Sequence, residues 1–131
     1  MSQQPRENEI SGIVLKSAIE AHKALGGPGL LESLYEEALA WELERAGLQV
    51  NRQVKVSVPY KGEVLRGQLV IDLLIEGLVI VEVKSQENYH KIAEAQVLTY
   101  LRITGLRLGL VINFGEARLV DGFNRVVNGL K

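Results

Sequence analysis

Apolar residues recur at helical spacing in three segments of the chain. The first runs from about residue 9 to Leu25 and the second from about Leu30 to Ala46, with Gly26-Gly27-Pro28-Gly29 as a break between them. The third runs from Asn88 to Thr104. A glycine follows both the second and the third segment, where it is placed to end a helix. The pattern therefore predicts three helices.

Between the second and third helices the pattern changes to a period of two residues. Val50 to Val58 alternates valine with polar residues, which is typical of a half-buried antiparallel strand. Glu63 to Ile75 predicts a second strand, and Leu78 to Lys84 predicts an almost wholly apolar, interior strand. A fourth strand at Leu108 to Phe114 and one or two short strands complete the chain. The order is α-α-β-β-β-α-β with a tail, and we expect a right-handed parallel crossover over residues 78–114.

The composition is that of an ordinary globular protein, since 47% of the residues are hydrophobic and 24% are charged. A length of 131 residues predicts one domain over residues 9–131, preceded by a polar, disordered leader over residues 1–8. No apolar stretch spans a bilayer and no signal-peptide pattern is present, so we expect a cytoplasmic protein. The absence of cysteine excludes zinc ribbons and thiol nucleophiles. A net charge of −1 gives no global attraction to nucleic acid but permits a local basic rim.

Three charged residues lie in the apolar strands, where charge is expensive to bury. Asp72 lies in the second strand, and Glu82 and Lys84 lie in the third. An unpaired carboxylate or ammonium group there carries a large desolvation cost. The simplest explanation is a divalent cation held by the two carboxylates, and oxygen ligands without cysteine favour Mg²⁺ or Mn²⁺ over Zn²⁺. A structural ion-pair network at the end of the sheet is the alternative.

This cation site depends on how the second and third strands are connected. A two-residue turn at Glu76-Gly77 would place Asp72 opposite Val81 and on the other face of the sheet from Glu82. A three-residue connection, Glu76-Gly77-Leu78 with the glycine at positive φ, would place the two carboxylates directly across from each other. We therefore expect a three-residue connection or a bulge beside Asp72.

Two helices add polar residues on the sides that we expect to face the core. On the second helix, Glu32 and Glu36 share a stripe with core leucines and point inward or to the rim of a cleft, while Tyr35 packs. On the third helix, Gln96 lies between isoleucines with Tyr100 at the edge of the stripe, and it needs a hydrogen-bond partner. The alternatives are a rim carboxylate for Glu36, a helix N-terminal charge for Glu32, and a satisfied core-edge pair for Gln96 and Tyr100.

Asp72, followed by Glu82-Val83-Lys84 within this order of elements, resembles the PD-(D/E)XK nuclease superfamily. Gly29-Leu-Leu-Glu32-Ser-Leu-Tyr35 is similar to the signature of the GxxExxY family, a bacterial and archaeal group assigned to that superfamily. Further matching segments are Tyr60-Lys61-Gly62, Gln96-Val-Leu-Thr-Tyr100-Leu101 and Gly109-Leu-Val-Ile-Asn113-Phe114-Gly115. The resemblance covers roughly residues 10–128. It implies a mixed α/β (α+β) fold with an αβββαβ core, in which helices flank a mixed central sheet.

The resemblance also implies metal-dependent hydrolysis of phosphodiester bonds, with DNA more expected than RNA as the substrate. Asp72 and Glu82 would bind Mg²⁺ or Mn²⁺, helped by the main-chain carbonyl of Val83. Glu36 is the preferred match for the acidic residue of the first core helix, and Glu32 is the second choice.

Three further residues complete the set of catalytic residues that the resemblance implies. Lys84 would position the attacking water and stabilise charge on the phosphate, and Gln96 and Tyr100 resemble the Gln-x-x-x-Tyr element of related enzymes. The alternative function is a catalytically silent module of the same fold that binds nucleic acid or a protein partner. A self-associating protein is a third hypothesis, since the strands after Gly105 could pair across a homodimer.

Overall fold

The computed structural model describes residues 4–130, which form three α-helices, five β-strands and one short 3₁₀-helix. In chain order these are α1 (Arg6–Ala24), α2 (Glu32–Arg45), β1 (Val50–Tyr60), β2 (Glu63–Ile75), β3 (Val79–Lys84), α3 (Ile92–Thr104), β4 (Leu108–Asn113), the 3₁₀-helix (Leu119–Gly122) and β5 (Phe123–Val127). The predicted order of helices and strands is confirmed, although α3 starts four residues later than expected, at Ile92. No helix in this part of the chain is long and apolar enough to cross a membrane.

The strands form one mixed sheet in the order β1-β2-β3-β4-β5. β3 and β4 are parallel, as expected for a strand, helix and strand crossover, and all the other neighbours are antiparallel. The strands after Gly105 pair with each other inside one chain, so the homodimer stays a hypothesis.

Helices cover both faces of the sheet. α1 and α2 bury one face, where Val79, Val81 and Val83 of β3 belong to the larger core. α3 buries the other face, where Ile80 packs in the smaller core. Because side chains alternate along a strand, Glu82 falls on the same side as Ile80, facing the layer that contains α3. The sheet and α3 therefore frame the space around the carboxylate of Glu82.

Residues 6–8 of the predicted leader over residues 1–8 are helical, because α1 begins at Arg6. Glu7 is buried, and its two carboxylate oxygens each accept a hydrogen bond of 2.9 Å from Arg107, just before β4. The partner lies 100 residues away, so the local polarity of the segment could not indicate this contact. Residues 1–3 lie outside the described part of the chain.

Candidate active site

The connection between β2 and β3 sets the register of the site. Leu73 pairs with Val81 and Ile75 pairs with Val79, which leaves three residues in the connection. Gly77 has a φ of 65°, and Glu76 before it also has a positive φ, of 54°. The expected three-residue connection is confirmed, and it makes Asp72 and Glu82 the next residues on the two strands.

The two strands separate where Asp72 and Glu82 lie. The backbone pairing of β2 and β3 ends at Leu73 and Val81, one residue short of the carboxylates. There the amide of Asp72 donates to Glu82 Oε1 at 3.1 Å, and the amide of Val83 donates to Asp72 Oδ2 at 2.9 Å. Each carboxylate thus accepts a hydrogen bond that a main-chain carbonyl of the neighbouring strand would accept in a regular ladder. These bonds fix the two carboxylates beside each other at the fork.

The electrostatics of this pair are unfavourable without a cation. Burial first, and then the negative charge of Asp72, raise the pKa of Glu82 from 4.5 to about 8. The positive charge of Lys84 opposes the rise, which places that ammonium group near the carboxylate. The pair therefore lacks most of the counter-charge that two ionised carboxylates require.

Glu36 of α2 reaches the same site through Gln53 of β1. The amide nitrogen of Gln53 donates to Glu36 Oε1 at 2.8 Å and to Asp72 Oδ1 at 3.3 Å, so one side chain links the two acids. Arg52 donates to Glu36 Oε2 at 3.0 and 3.2 Å. Burial raises the pKa of Glu36, while hydrogen bonding to Arg52 lowers it and the charge of Asp72 raises it. The inward position expected for Glu36 is confirmed.

The backbone of β1 is irregular at Gln53. Its φ of 51° lies in the left-handed region, which is rare for a non-glycine residue and costs roughly 1–3 kcal/mol. The alternation of the strands also breaks here. Val50 and Ile75 pack in the core beneath α1 and α2, but Val54 and Ile71, an even number of residues away, pack on the α3 side. The break turns the side chain of Gln53 toward the acids.

Sequence reasoning missed both Arg52 and Gln53. In the alternating pattern of β1 they are polar residues no different from Asn51 or Lys55. The signal that marks them is the acidic partner on α2, which only the tertiary structure supplies.

Lys84 ends β3 and is half-buried. The segment after it is tied to β4 by the buried side chain of Asn113, which accepts a hydrogen bond from the Gln86 amide at 2.9 Å and donates one to the Gln86 carbonyl at 3.0 Å. Gly115 lies against the same backbone, and a Cβ there would overlap the Gln86 carbonyl. These contacts fix the backbone just beyond Lys84.

Tyr100 of α3 lies near the two acids. The side of α3 predicted to face the core, with Ile92 and Gln96, is however not the side that packs. Burial, then the charges of Glu82 and Asp72, raise the pKa of Tyr100. The helix packs through three other residues, Ala93, Val97 and Leu101.

The side chains of the predicted stripe are mostly open to solvent. Ile92 is 73% exposed and Gln96 is also exposed, which corrects the expectation that Gln96 is buried and requires a partner in the core. Gln96 lies one turn before Tyr100 on the same side of α3.

The other residues of the α2 motif are separated by the structure. Glu32 is the first residue of the helix and is exposed, away from the inward position of Glu36. Tyr35 is fully buried and stacks on Phe114 with ring centroids 4.6 Å apart. Its hydroxyl donates to the Gly27 carbonyl at 2.6 Å and accepts from the Leu30 amide at 3.2 Å. Tyr35 thus packs, as expected, and it holds the connection between α1 and α2.

The oxygen donors at the fork fit a small hard cation. Within residues 4–130, no three His, Asp or Glu side chains are grouped closely enough to hold a metal ion as they stand, and the carboxylate of Glu36 accepts hydrogen bonds from Arg52 and Gln53. Asp72 and Glu82 alone form a pair of adjacent carboxylates. Their chemistry suits Mg²⁺ or Mn²⁺, and the raised pKa of Glu82 reflects a site that a cation would stabilise.

Comparison with known proteins identifies the family of the chain. No curated protein matches the chain. A solved structure described as "Crystal structure of SSO0001" superimposes with a TM-score of 0.48 and 15% sequence identity, over 93% of this chain and 79% of that chain. A family model described as the PD-(D/E)XK nuclease superfamily matches residues 8–126. The match spans almost the whole sequence, and the chain belongs to the PD-(D/E)XK nuclease superfamily.

Proposed function

We propose that this protein is a metal-dependent nuclease that hydrolyses phosphodiester bonds in nucleic acid, with DNA preferred over RNA. Membership of the superfamily suggests nuclease activity. The observation that carries the proposal is the fork between β2 and β3, where Asp72 and Glu82 lie side by side with Lys84 close by. Within the superfamily, the motif formed by Gly29, Glu32 and Tyr35 favours the GxxExxY group.

The residues that would hold Mg²⁺ or Mn²⁺ are Asp72 and Glu82, with the main-chain carbonyl of Val83 and with Glu36. Members of the superfamily generally use divalent metals. The bound ion would provide counter-charge for the phosphate and would make water a better nucleophile near neutral pH. The hydrogen bond from the Val83 amide to Asp72 supports this assignment, because it keeps Val83 beside the acids.

The protein's own side chains would orient the substrate and the water. Lys84 brings a positive charge next to Glu82, where it would position the attacking water and donate to a phosphate oxygen. The hydroxyl of Tyr100 would donate a hydrogen bond to the substrate beside the two acids. Gln96, one turn earlier on α3, would also bind the substrate. Gln53 would orient Glu36 through their 2.8 Å hydrogen bond.

A catalytically silent module that binds nucleic acid or a protein partner is the second candidate. One observation favours it, because the carboxylate of Glu36 is already occupied by Arg52 and Gln53. A protein that keeps these bonds in solution would bind a metal ion weakly and would not turn over.

Cleavage assays with matched lysine variants distinguish the two candidates. Purified protein is incubated with duplex DNA, single-stranded DNA and RNA in Mg²⁺, in Mn²⁺ and in a chelator. Lys84→Ala is compared with Lys16→Ala, which removes an exposed lysine of α1. We expect cleavage by the wild type and by Lys16→Ala that requires the metal, and a loss of about 100-fold or more for Lys84→Ala.

Two results would contradict the nuclease proposal. One is cleavage that survives Lys84→Ala unchanged, which would indicate a contaminating enzyme. The other is no cleavage of any substrate together with no binding of Mg²⁺ or Mn²⁺ by calorimetry, which would favour the silent module.

A further inference from the structure

The hairpin of β1 and β2 extends well beyond the rest of the sheet. β3 pairs with β2 only over Leu73–Ile75, so residues 55–70 form a two-stranded ribbon without a third strand beside them. None of the residues 55–70 is fully buried. From Asp72 to Gly62 at the tip, the strand rise gives a length of about 30 Å. We call residues 55–70 the distal ribbon, and its base is the site of Asp72 and Gln53.

The distal ribbon is basic in a protein that is not. It contains the three cationic residues Lys55, Lys61 and Arg66 against the single acidic residue Glu63, a net charge of +2, while the whole chain has −1. All four side chains are exposed. The remainder of the chain therefore has a net charge of −3, whereas the element that projects from the acids is net positive. A polyanion is the partner that this distribution favours.

Exposed apolar side chains accompany the charges. Val64 is 67% exposed and Tyr60 is 54% exposed, with the ammonium group of Lys61 lying 5.4 Å from the centre of the tyrosine ring. Leu65 and Val70 are also exposed. A two-stranded ribbon has the width that enters the major groove of duplex nucleic acid, where apolar side chains can contact base edges.

A second copy of the chain fits this surface less well. Pro59 lacks the amide needed to extend a ladder, and the pairing register shifts between Ser57 and Pro59. Lys55 lies on the outer strand, where an exposed lysine discourages pairing between edges. Two ribbons would also bring like charges together, whereas a phosphate backbone brings opposite charge.

We propose that the distal ribbon is the arm that binds duplex nucleic acid, with Lys55, Lys61 and Arg66 on the phosphates and the tip in a groove. The phosphate backbone that leaves the ribbon at its base reaches Asp72 and Glu82. The inference rests on the proposed function, since it names the partner and the binding surface of the same site.

A charge-matched pair of variants tests the ribbon. The ribbon variant carries Lys55→Gln, Lys61→Gln and Arg66→Gln, and the control carries Lys16→Gln, Lys23→Gln and Arg102→Gln, three exposed cations on α1 and α3. Binding of a labelled duplex of about 30 base pairs is followed by fluorescence anisotropy in a chelator at several salt concentrations. Calorimetry with Mg²⁺ and light scattering are run on both variants.

We expect the ribbon variant to bind the duplex at least about 10-fold more weakly. The salt dependence should also become shallower, with the magnitude of the slope of log binding constant against log salt smaller by about 2–3. The control should bind within about 2-fold of the wild type, and binding of Mg²⁺ and the oligomeric state should be unchanged in both. Where cleavage is measurable, the ribbon variant should raise KM and leave kcat at saturating substrate unchanged.

Three outcomes would overturn the ribbon assignment. These are equal weakening in both variants, weakening for single strands but not for the duplex, and a shift from dimer to monomer in the ribbon variant. Ribbon-dependent binding without cleavage would support the arm while contradicting the nuclease proposal. Cleavage with ribbon-independent binding would support the nuclease and contradict the arm.

Discussion

Two glutamates, the buried Glu7 and the half-buried Glu82, show how differently this fold treats a carboxylate. Glu7 of α1 has a side chain that is 5% exposed, and it receives two hydrogen bonds of 2.9 Å from the guanidinium group of Arg107. Glu82 of β3 is instead held against a second acid, Asp72, through backbone amides. One carboxylate faces opposite charge and the other faces like charge.

The contrast separates a structural role from the functional role that we propose. The pair of Glu7 and Arg107 is complete within the chain and ties α1 to the start of β4. The pair of Asp72 and Glu82 costs free energy when both carboxylates are ionised, as the pKa of Glu82 near 8 indicates. A fold keeps such an unfavourable pair of carboxylates where a ligand from outside the chain offsets its cost in free energy. The contrast therefore predicts opposite effects when each glutamate is neutralised.

The largest effect is expected for Glu82→Gln. Glutamine mimics the protonated carboxyl group and removes the charge that would hold a cation, so cleavage should fall by about 100- to 1000-fold and binding of Mg²⁺ should weaken. Stability should change in the other direction. The folded-state pKa of Glu82 lies above its unfolded value of 4.5, so the wild type loses stability as pH rises from about 4.5 through about 8.

Urea unfolding in a chelator measures this pH dependence. Near pH 5 the variant and the wild type should be similar, and near pH 9 the variant should be more stable by about 1–3 kcal/mol, a range that allows for the partial exposure of Glu82. A variant less stable than the wild type at the higher pH would show that the fork is not strained by charge.

An intermediate effect is expected for Glu7→Gln. The substitution leaves Arg107 without its counter-charge and should lower the free energy of unfolding by about 1–3 kcal/mol, measured by urea unfolding near neutral pH. The control is Glu9→Gln, which breaks the exposed pair with Arg6 and should cost less than about 0.5 kcal/mol. Cleavage per folded molecule should be unchanged in both variants. A loss of cleavage in Glu7→Gln without a loss of stability would remove the distinction between the two glutamates.

Much of the fold and part of the site could be predicted from the sequence. Residue periodicity predicted the order of helices and strands, and charges in apolar strands identified Asp72, Glu82 and Lys84. The register was narrowed to two connections, of which the structure has the three-residue one. These features depend on residues close together in sequence, or on a rule about what a buried strand tolerates.

The errors arose where a choice depended on distant contacts. Both sides of α3 carry apolar residues, so periodicity could not tell that Val97 packs on the sheet while Ile92 remains exposed. The helical start of the supposed leader is bonded through Glu7 to Arg107, far along the chain. The backbone of Gln53 adopts its rare φ because Glu36 and Asp72 meet its side chain, and no local pattern encodes that.

Gln53 provides the smallest and most specific test of the comparison. Glycine adopts a φ of 51° without the penalty of a Cβ, so Gln53→Gly should stay within about 1 kcal/mol of the wild-type stability, and Gln53→Ala should be less stable than Gln53→Gly by about 1 kcal/mol. At Asn51, a neighbour on β1 without a positive φ, the order should reverse, because glycine in a regular strand costs about 0.5–1 kcal/mol relative to alanine.

Cleavage should fall in variants at Gln53 but not in variants at Asn51, independently of their stability. Both Gln53 variants remove the amide that links Glu36 to Asp72, so both should lose about 10-fold or more in cleavage or in affinity for Mg²⁺, whatever their stability. The Asn51 variants should keep wild-type cleavage. If Gln53→Gly were as active as the wild type, the link between the acids would be a packing contact, and the strained backbone would have no part in preparing the site.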